Sequence, residues 1–133
     1  MVDLRKGYDN AFFVDAILDG NKQKTLDALI DTGASTTHIN NETCIENKLK
    51  PLGSRGGSIC IHGEAHKDLR VPMYEATITV AGIKAEKLRI SGLSKDVTLN
   101  KKKIEVVIGR DILKNFIMTL DWKKCKGELN PET

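Results

Sequence analysis

The segment ALIDTGAST, residues 28–36, drives apolar Ala28, Leu29 and Ile30 directly into an acid, a hydroxyl and a glycine. A carboxylate at the end of an apolar run is costly to bury without a partner, so its placement needs a physical reason. Upstream, AFFVDAILDGNKQKTLDALIDTG (residues 11–33) reads as two alternating apolar stretches joined by a turn at Asp19-Gly20-Asn21. The pattern predicts a hairpin whose second arm, Thr25 to Ile30, ends at Asp31, where strand gives way to loop. The plain alternative is an aspartate that closes a strand by bonding its own backbone.

Further along, NNETCIENKLKP (40–51) offers Asn40 or Asn41 as an N-cap, Ile45 and Leu49 one helical turn apart, and Pro51 as a stop, which predicts a short helix. PLGSRGG (51–57) has loop chemistry. SICIHGEAHKDLRVPMYEATITVAG (58–82) reads as two extended arms bending near Gly63, and YEATITVAGIKAEKLRIS (74–91) as another pair of strands about Ala81-Gly82. In IEVVIGRDILKNF (104–116) an apolar strand meets a glycine, followed by Ile112, Leu113 and Phe116 at helical spacing. FIMTLDWKKCKGEL (116–129) begins as a strand before turning polar. Short strands, one or two short helices and recurrent turns point to an all-β class, and residues 1–133 are expected to form a single domain.

Composition agrees with this reading. Hydrophobic residues at 40% and charged residues at 29% suit a folded domain and argue against wholesale disorder. The net charge of +3 is spread along the chain, and the cluster Lys101, Lys102 and Lys103, with no aromatic companions, reads as a solvated turn rather than a nucleic-acid site. Cys44, Cys60 and Cys125 are widely separated and show no CxxC pairing, which suggests neither a disulfide framework nor a zinc ribbon and fits a reducing compartment. The opening MVDLRKGYDN lacks the apolar core of a signal peptide, and no run approaches the roughly 20 apolar residues that span a bilayer. The expectation is a cytoplasmic chain with no membrane and no nucleic-acid partner. His62 and His66 fall in a hairpin rather than on a helix face and read as surface groups; Cys44 reads as core packing, and no thiol has an evident base partner.

ALIDTGAS followed much later by VVIGRDIL resembles the retropepsin-like (clan AA) aspartic proteases of the single-domain, retroviral type. The resemblance covers most of the chain: a hairpin before the acid, a flap-like hairpin in the middle and a glycine-bearing helix near the end. It implies a closed, single-lobed β-fold in which the Asp-Thr-Gly loop floors a peptide-binding cleft. Asp31, Thr32 and Gly33 would be the catalytic group, with Thr32 interlocking with its counterpart from the other half and Ser35 bonding the outer oxygen of Asp31. Ala34 and Ser35, together with Ile61, His62, Gly63 and Glu64 near the flap tip, would face substrate, and Gly109, Arg110 and Asp111 would give structural support. No cofactor and no metal are implied.

The chemistry demands more than one acid. Peptide hydrolysis by this route needs one carboxylate to take a proton from water while a second donates one to the scissile carbonyl. The chain holds one Asp-Thr-Gly; LDG at residues 18–20 and LDW at 120–122 lack the threonine and glycine. A two-fold homodimer supplies the deficit, because an isologous interface sets each Asp31 opposite its mate. Two carboxyl groups so close cannot both ionise cheaply and hold one proton between them. The expected function is therefore an aspartic endopeptidase, active as a homodimer, with a flap closing over an extended peptide. The rival is a non-cleaving peptide-binding or scaffolding module of the same shape.

The chain also departs from the retroviral pattern. Many retroviral members carry an acid where Ser35 stands, and that acid pairs with the late arginine. Arg110 is thus left to Asp111, to a carboxylate near the N-terminus, or to solvent. Both ends of the chain are polar, so the sequence assigns no interface strands.

Overall fold

The computed structural model describes residues 2–7, 10–59, 65–94, 97–99 and 101–132, with the backbone alone for 55–59 and 65–70. Strand β1 (Val2–Lys6) runs antiparallel to β2 (Phe12–Asp19), which alternates as expected, burying Phe12, Val14, Ala16 and Leu18 and exposing Asp15. Its hairpin partner β3 (Lys24–Ile30) buries Leu26 and Ala28. The turn between them rests on a later helix: the Asn21 N–H donates to the Asn47 carbonyl, and a Cβ on Gly20 would lie 2.9 Å from that oxygen.

Beyond the loop, β4 (His38–Asn40) leads into α1 (Asn41–Glu46), capped by Asn40, whose Oδ1 accepts from the Glu42 N–H at 3.0 Å. The helix stops well before Pro51. Asn47 donates from its backbone N–H and from Nδ2 to the Thr43 carbonyl, and Lys48 turns left-handed at φ 54°. Thr43 and Cys44 are buried, whereas Ile45 points outward.

The segment expected as a loop, residues 51–57, is strand. It forms most of β5 (Lys50–Ile59), paired with β6 (Ala65–Val80) through register shifts at Pro51/Ser54 and Gly56/Ser58. Bulges let a strand keep glycine and proline, because the partner strand supplies the hydrogen-bonding frame. The hairpin tip on which Ile61, His62, Gly63 and Glu64 fall lies outside the described residues. Ala81 and Gly82, at φ 49° and 80°, make the expected tight turn into β7 (Ile83–Leu93). The lysine cluster is exposed, with Lys101 in the turn that follows β8 (Thr98–Leu99) and Lys102 and Lys103 forming β9 (Lys102–Lys103), where Lys103 pairs with Glu42 at 3.1 Å.

Next come β10 (Val106–Ile108), α2 (Arg110–Leu113), β11 (Phe116–Asp121) and β12 (Lys126–Pro131). The polar ends of the chain thus form strands, because β1 and β12 pair with each other and bury Leu4 and Leu129. The barrel is closed: β2, β3, β10, β4, β7 and β6 pair in that order, and β6 returns to β2. Val14, Leu18, Ile39, Ile78, Val80, Ile90 and Ile108 fill its interior. Outside the ring, β1, β12 and β11 extend the sheet from β2, with β11 at its edge. Among the described residues no helix is long and apolar enough to cross a membrane.

Cys44, on the buried face of α1, packs against the core as expected, and burial pushes its thiol up to about 12. The folded state therefore keeps a proton that the unfolded chain gives up at an ordinary thiol pKa. Stability should be insensitive to this group below that range and fall as pH climbs towards about 12. Iodoacetamide at mildly alkaline pH should modify the half-buried Cys125 and leave Cys44 untouched until the chain is unfolded, as read by peptide mass spectrometry.

Candidate active site

The parallel pairing of β3 with β10 brings the two sequence motifs to one place. Ile30 lies opposite Ile108, so the loop after β3 and the helix after β10 leave the barrel side by side. The Asp31 N–H donates to the Ile108 carbonyl at 3.0 Å, which fixes the point where the loop departs. The Gly33 N–H then donates to Asp31 Oδ1 at 2.9 Å, a charge-assisted bond that holds the carboxylate against its own loop. Gly33 is needed for closeness rather than handedness: a Cβ there would sit 3.2 Å from Asp31 Oδ1.

A second layer of bonds holds the loop itself. The Ala34 N–H donates to the Asp31 carbonyl at 3.2 Å, and the Ala34 carbonyl accepts from the Arg110 N–H at 2.8 Å. Gly109 lies so close beneath the loop that a Cβ would come within 2.6 Å of the Thr36 carbonyl group. Any larger residue would push the two segments apart. Thr37, fully buried, works in three directions. Its N–H and Oγ1 donate to the two oxygens of Asp111 at 2.9 and 2.7 Å, and its Oγ1 accepts from the Gly109 N–H at 3.2 Å. Asp111 also accepts from the Ile112 N–H at 2.9 Å, which ties it to the first turn of α2.

Asp31, Thr32, Gly33, Ala34, Ser35, Gly109, Arg110 and Asp111 are thus brought together, while Ile61, His62, Gly63 and Glu64 lie outside the described residues. Several expected contacts differ. Asp111 is engaged by Thr37, so it does not partner Arg110. Among the described residues Arg110 makes no ion pair, and its Nη1 donates to the Thr32 carbonyl at 3.4 Å. Among the described residues no carboxylate near the N-terminus reaches it either, and Asp15 is drawn to Arg5. Ser35 is exposed, and among the described residues the contact to the Asp31 carboxylate comes from Gly33.

Asp31 itself is half-buried and Thr32 is exposed, so the acid faces outward from a single chain. Beside it lies a cavity of about 160 Å³ lined by Phe12, Ile30, Asp31, Thr32, Met118, Leu120 and Trp122. The sequence reading did not anticipate Thr37 or the part played by β11. Thr37 acts on a residue 74 positions away, which no local pattern announces.

The architecture matches solved structures. It superposes on a retropepsin-like aspartic protease from Rickettsia conorii with a TM-score of 0.64 at 17% identity, over 98% of this chain and 89% of that one. The equine infectious anaemia virus (EIAV) protease, solved in complex with the inhibitor HBY-793, matches with a TM-score of 0.56 at 17% identity, over 83% of this chain and 91% of its own. The simian foamy virus protease matches at 0.52 and 20% identity, over 77% and 91%. The chain therefore has the retropepsin-like fold. No family model and no curated protein matches its sequence.

Thr37→Val should destabilise the fold by about 1–3 kcal/mol in urea unfolding, because it strands the Gly109 N–H and removes a donor from Asp111. Thr37→Ser should recover most of the loss.

Proposed function

We propose that this protein is an aspartic endopeptidase whose active unit is a homodimer, with one Asp31 from each chain meeting across a two-fold axis. The observation that carries the proposal is the position of Asp31 on the retropepsin-like fold. Its carboxylate is pinned by the Gly33 N–H and faces outward from a single subunit, beside an apolar cavity. A second copy would bury that face and make the acid's surroundings poor in water, so that the pair holds one proton between them. The ionised member then takes a proton from a water molecule as it attacks the peptide carbonyl, and the protonated member gives its proton to the carbonyl oxygen. No covalent intermediate forms.

In this reading Gly33 orients the acid and Thr32 braces the two loops against each other. Gly109, Arg110 and Asp111 keep the loop in place through Ala34 and Thr37. Ser35, together with Ile61, His62, Gly63 and Glu64 of the middle hairpin, would contact an extended peptide. A reducing compartment such as the cytoplasm suits the free thiols of Cys44 and Cys125.

Asp31→Asn should lower cleavage of an unfolded protein mixture by a factor of about a hundred to ten thousand, with circular dichroism and sedimentation unchanged. Full activity in that variant would overturn the assignment. A correctly folded wild-type chain that binds peptides without cutting any would instead favour a binding module.

A further inference from the structure

The strands that lead into the Asp31 loop have two faces, and only one of them forms the barrel core. Residues opposite one another across a ladder share a face. Val106 lies opposite Ala28 and Ile39, and all three belong to the core. Val107 points the other way, beside Leu29 on β3 and His38 on β4; His38 in turn lies opposite Ser91, and Ser91 opposite Met73. Val107 and Met73 are buried yet stand outside the core cluster, so this outer face carries an apolar layer of its own. Asp31 shares that side. Ile30 is matched to the core residue Ile108, the Asp31 N–H continues the ladder to the Ile108 carbonyl, and alternation carries the next side chain outward.

Glu105 is a second acid on this face. Its carbonyl accepts from the Asn40 N–H at 2.7 Å, which extends the β10–β4 ladder by one residue and puts the Glu105 side chain on the side of Val107. The residue is partly buried, and among the described residues its carboxylate makes no hydrogen bond or ion pair. Lys103, two residues before it, is turned to Glu42 instead. A carboxylate partly withdrawn from water without a partner is costly, and a cation brought in from outside relieves that cost. We propose that Glu105 selects peptides carrying a lysine or arginine, whose cationic end it takes on the outer face of β10. The inference rests on the endopeptidase reading and names its substrate class. Glu105 stands three residues before Ile108, about 10 Å along the strand from the point where Asp31 departs. An extended peptide spans that distance in about three residues, which places the basic side chain within about three positions of the bond to be cut. Val107 and Leu29, between the two acids, would take the apolar parts of the peptide.

Cleavage of a proteome-derived peptide library by the wild-type chain, read by mass spectrometry, should show lysine or arginine enriched at one position within about three residues of the cut. For a peptide from that profile and its counterpart with leucine at the same position, Glu105→Gln should lower the kcat/KM ratio, basic over leucine, at least about tenfold. Glu105→Lys should turn the preference towards glutamate. No basic enrichment would overturn the proposal, and so would a Glu105→Gln loss equal for both peptides, which would make Glu105 a structural residue. Fluorescence anisotropy on the Asp31→Asn chain keeps the two readings separable, using labelled random dodecapeptide pools with lysine and arginine either included or left out. If the wild type cuts nothing, but the Asp31→Asn chain holds the basic pool more tightly and loses that discrimination on adding Glu105→Gln, the basic preference stands and the peptidase falls. Cleavage without basic preference does the reverse, and equal binding of both pools by a chain that cuts nothing overturns both.

Discussion

Everything at the candidate site depends on the short parallel pairing of β3 with β10. Parallel neighbours end at the same side of a sheet, so the acid-bearing loop and the glycine that begins α2 emerge together. Gly109 then lets the two backbones touch, and the buried Thr37 hydroxyl joins the loop to both Gly109 and Asp111. In the proposed dimer, a group that meets a second copy of itself within hydrogen-bond distance cannot ride on a soft loop. Here the loop is fastened at Asp31, Ala34 and Thr37 by partners on β10 and α2.

Sequence patterns disclosed what local chemistry governs. The β2–β3 hairpin follows from alternation and a turn signal, the Asn40 cap from a side chain suited to the first N–H groups of α1, and the Ala81-Gly82 turn from the need for positive φ. The Asp-Thr-Gly and Gly-Arg-Asp pieces were readable because each needs particular residue types close in sequence. What the sequence hid is governed by partners far along the chain. Residues 51–57 look like a loop because glycine and proline dominate them, yet the regular strand β6 imposes extended backbone on them through bulged pairing. The termini are polar in sequence, and each forms a strand on a single buried apolar side chain once it has the other to pair with.

The same distinction explains the corrections at the site. Arg110 and Asp111 are adjacent, which invites an ion pair, but the start of α2 turns Asp111 inward to Thr37 and leaves Arg110 outside with the Thr32 carbonyl. The loop is tied by the Thr37 hydroxyl bonded to the Asp111 carboxylate, while the Arg110 guanidinium is directed to the Thr32 carbonyl.

The central claim is that one active site draws an acid from each of two chains. Mixing wild-type and Asp31→Asn chains at fixed total concentration, with time for exchange, tests it directly. If each site needs both carboxyl groups, activity falls as the square of the wild-type fraction, because mixed dimers are inert. Activity falling in simple proportion to that fraction would mean that each chain works alone, and would contradict the account.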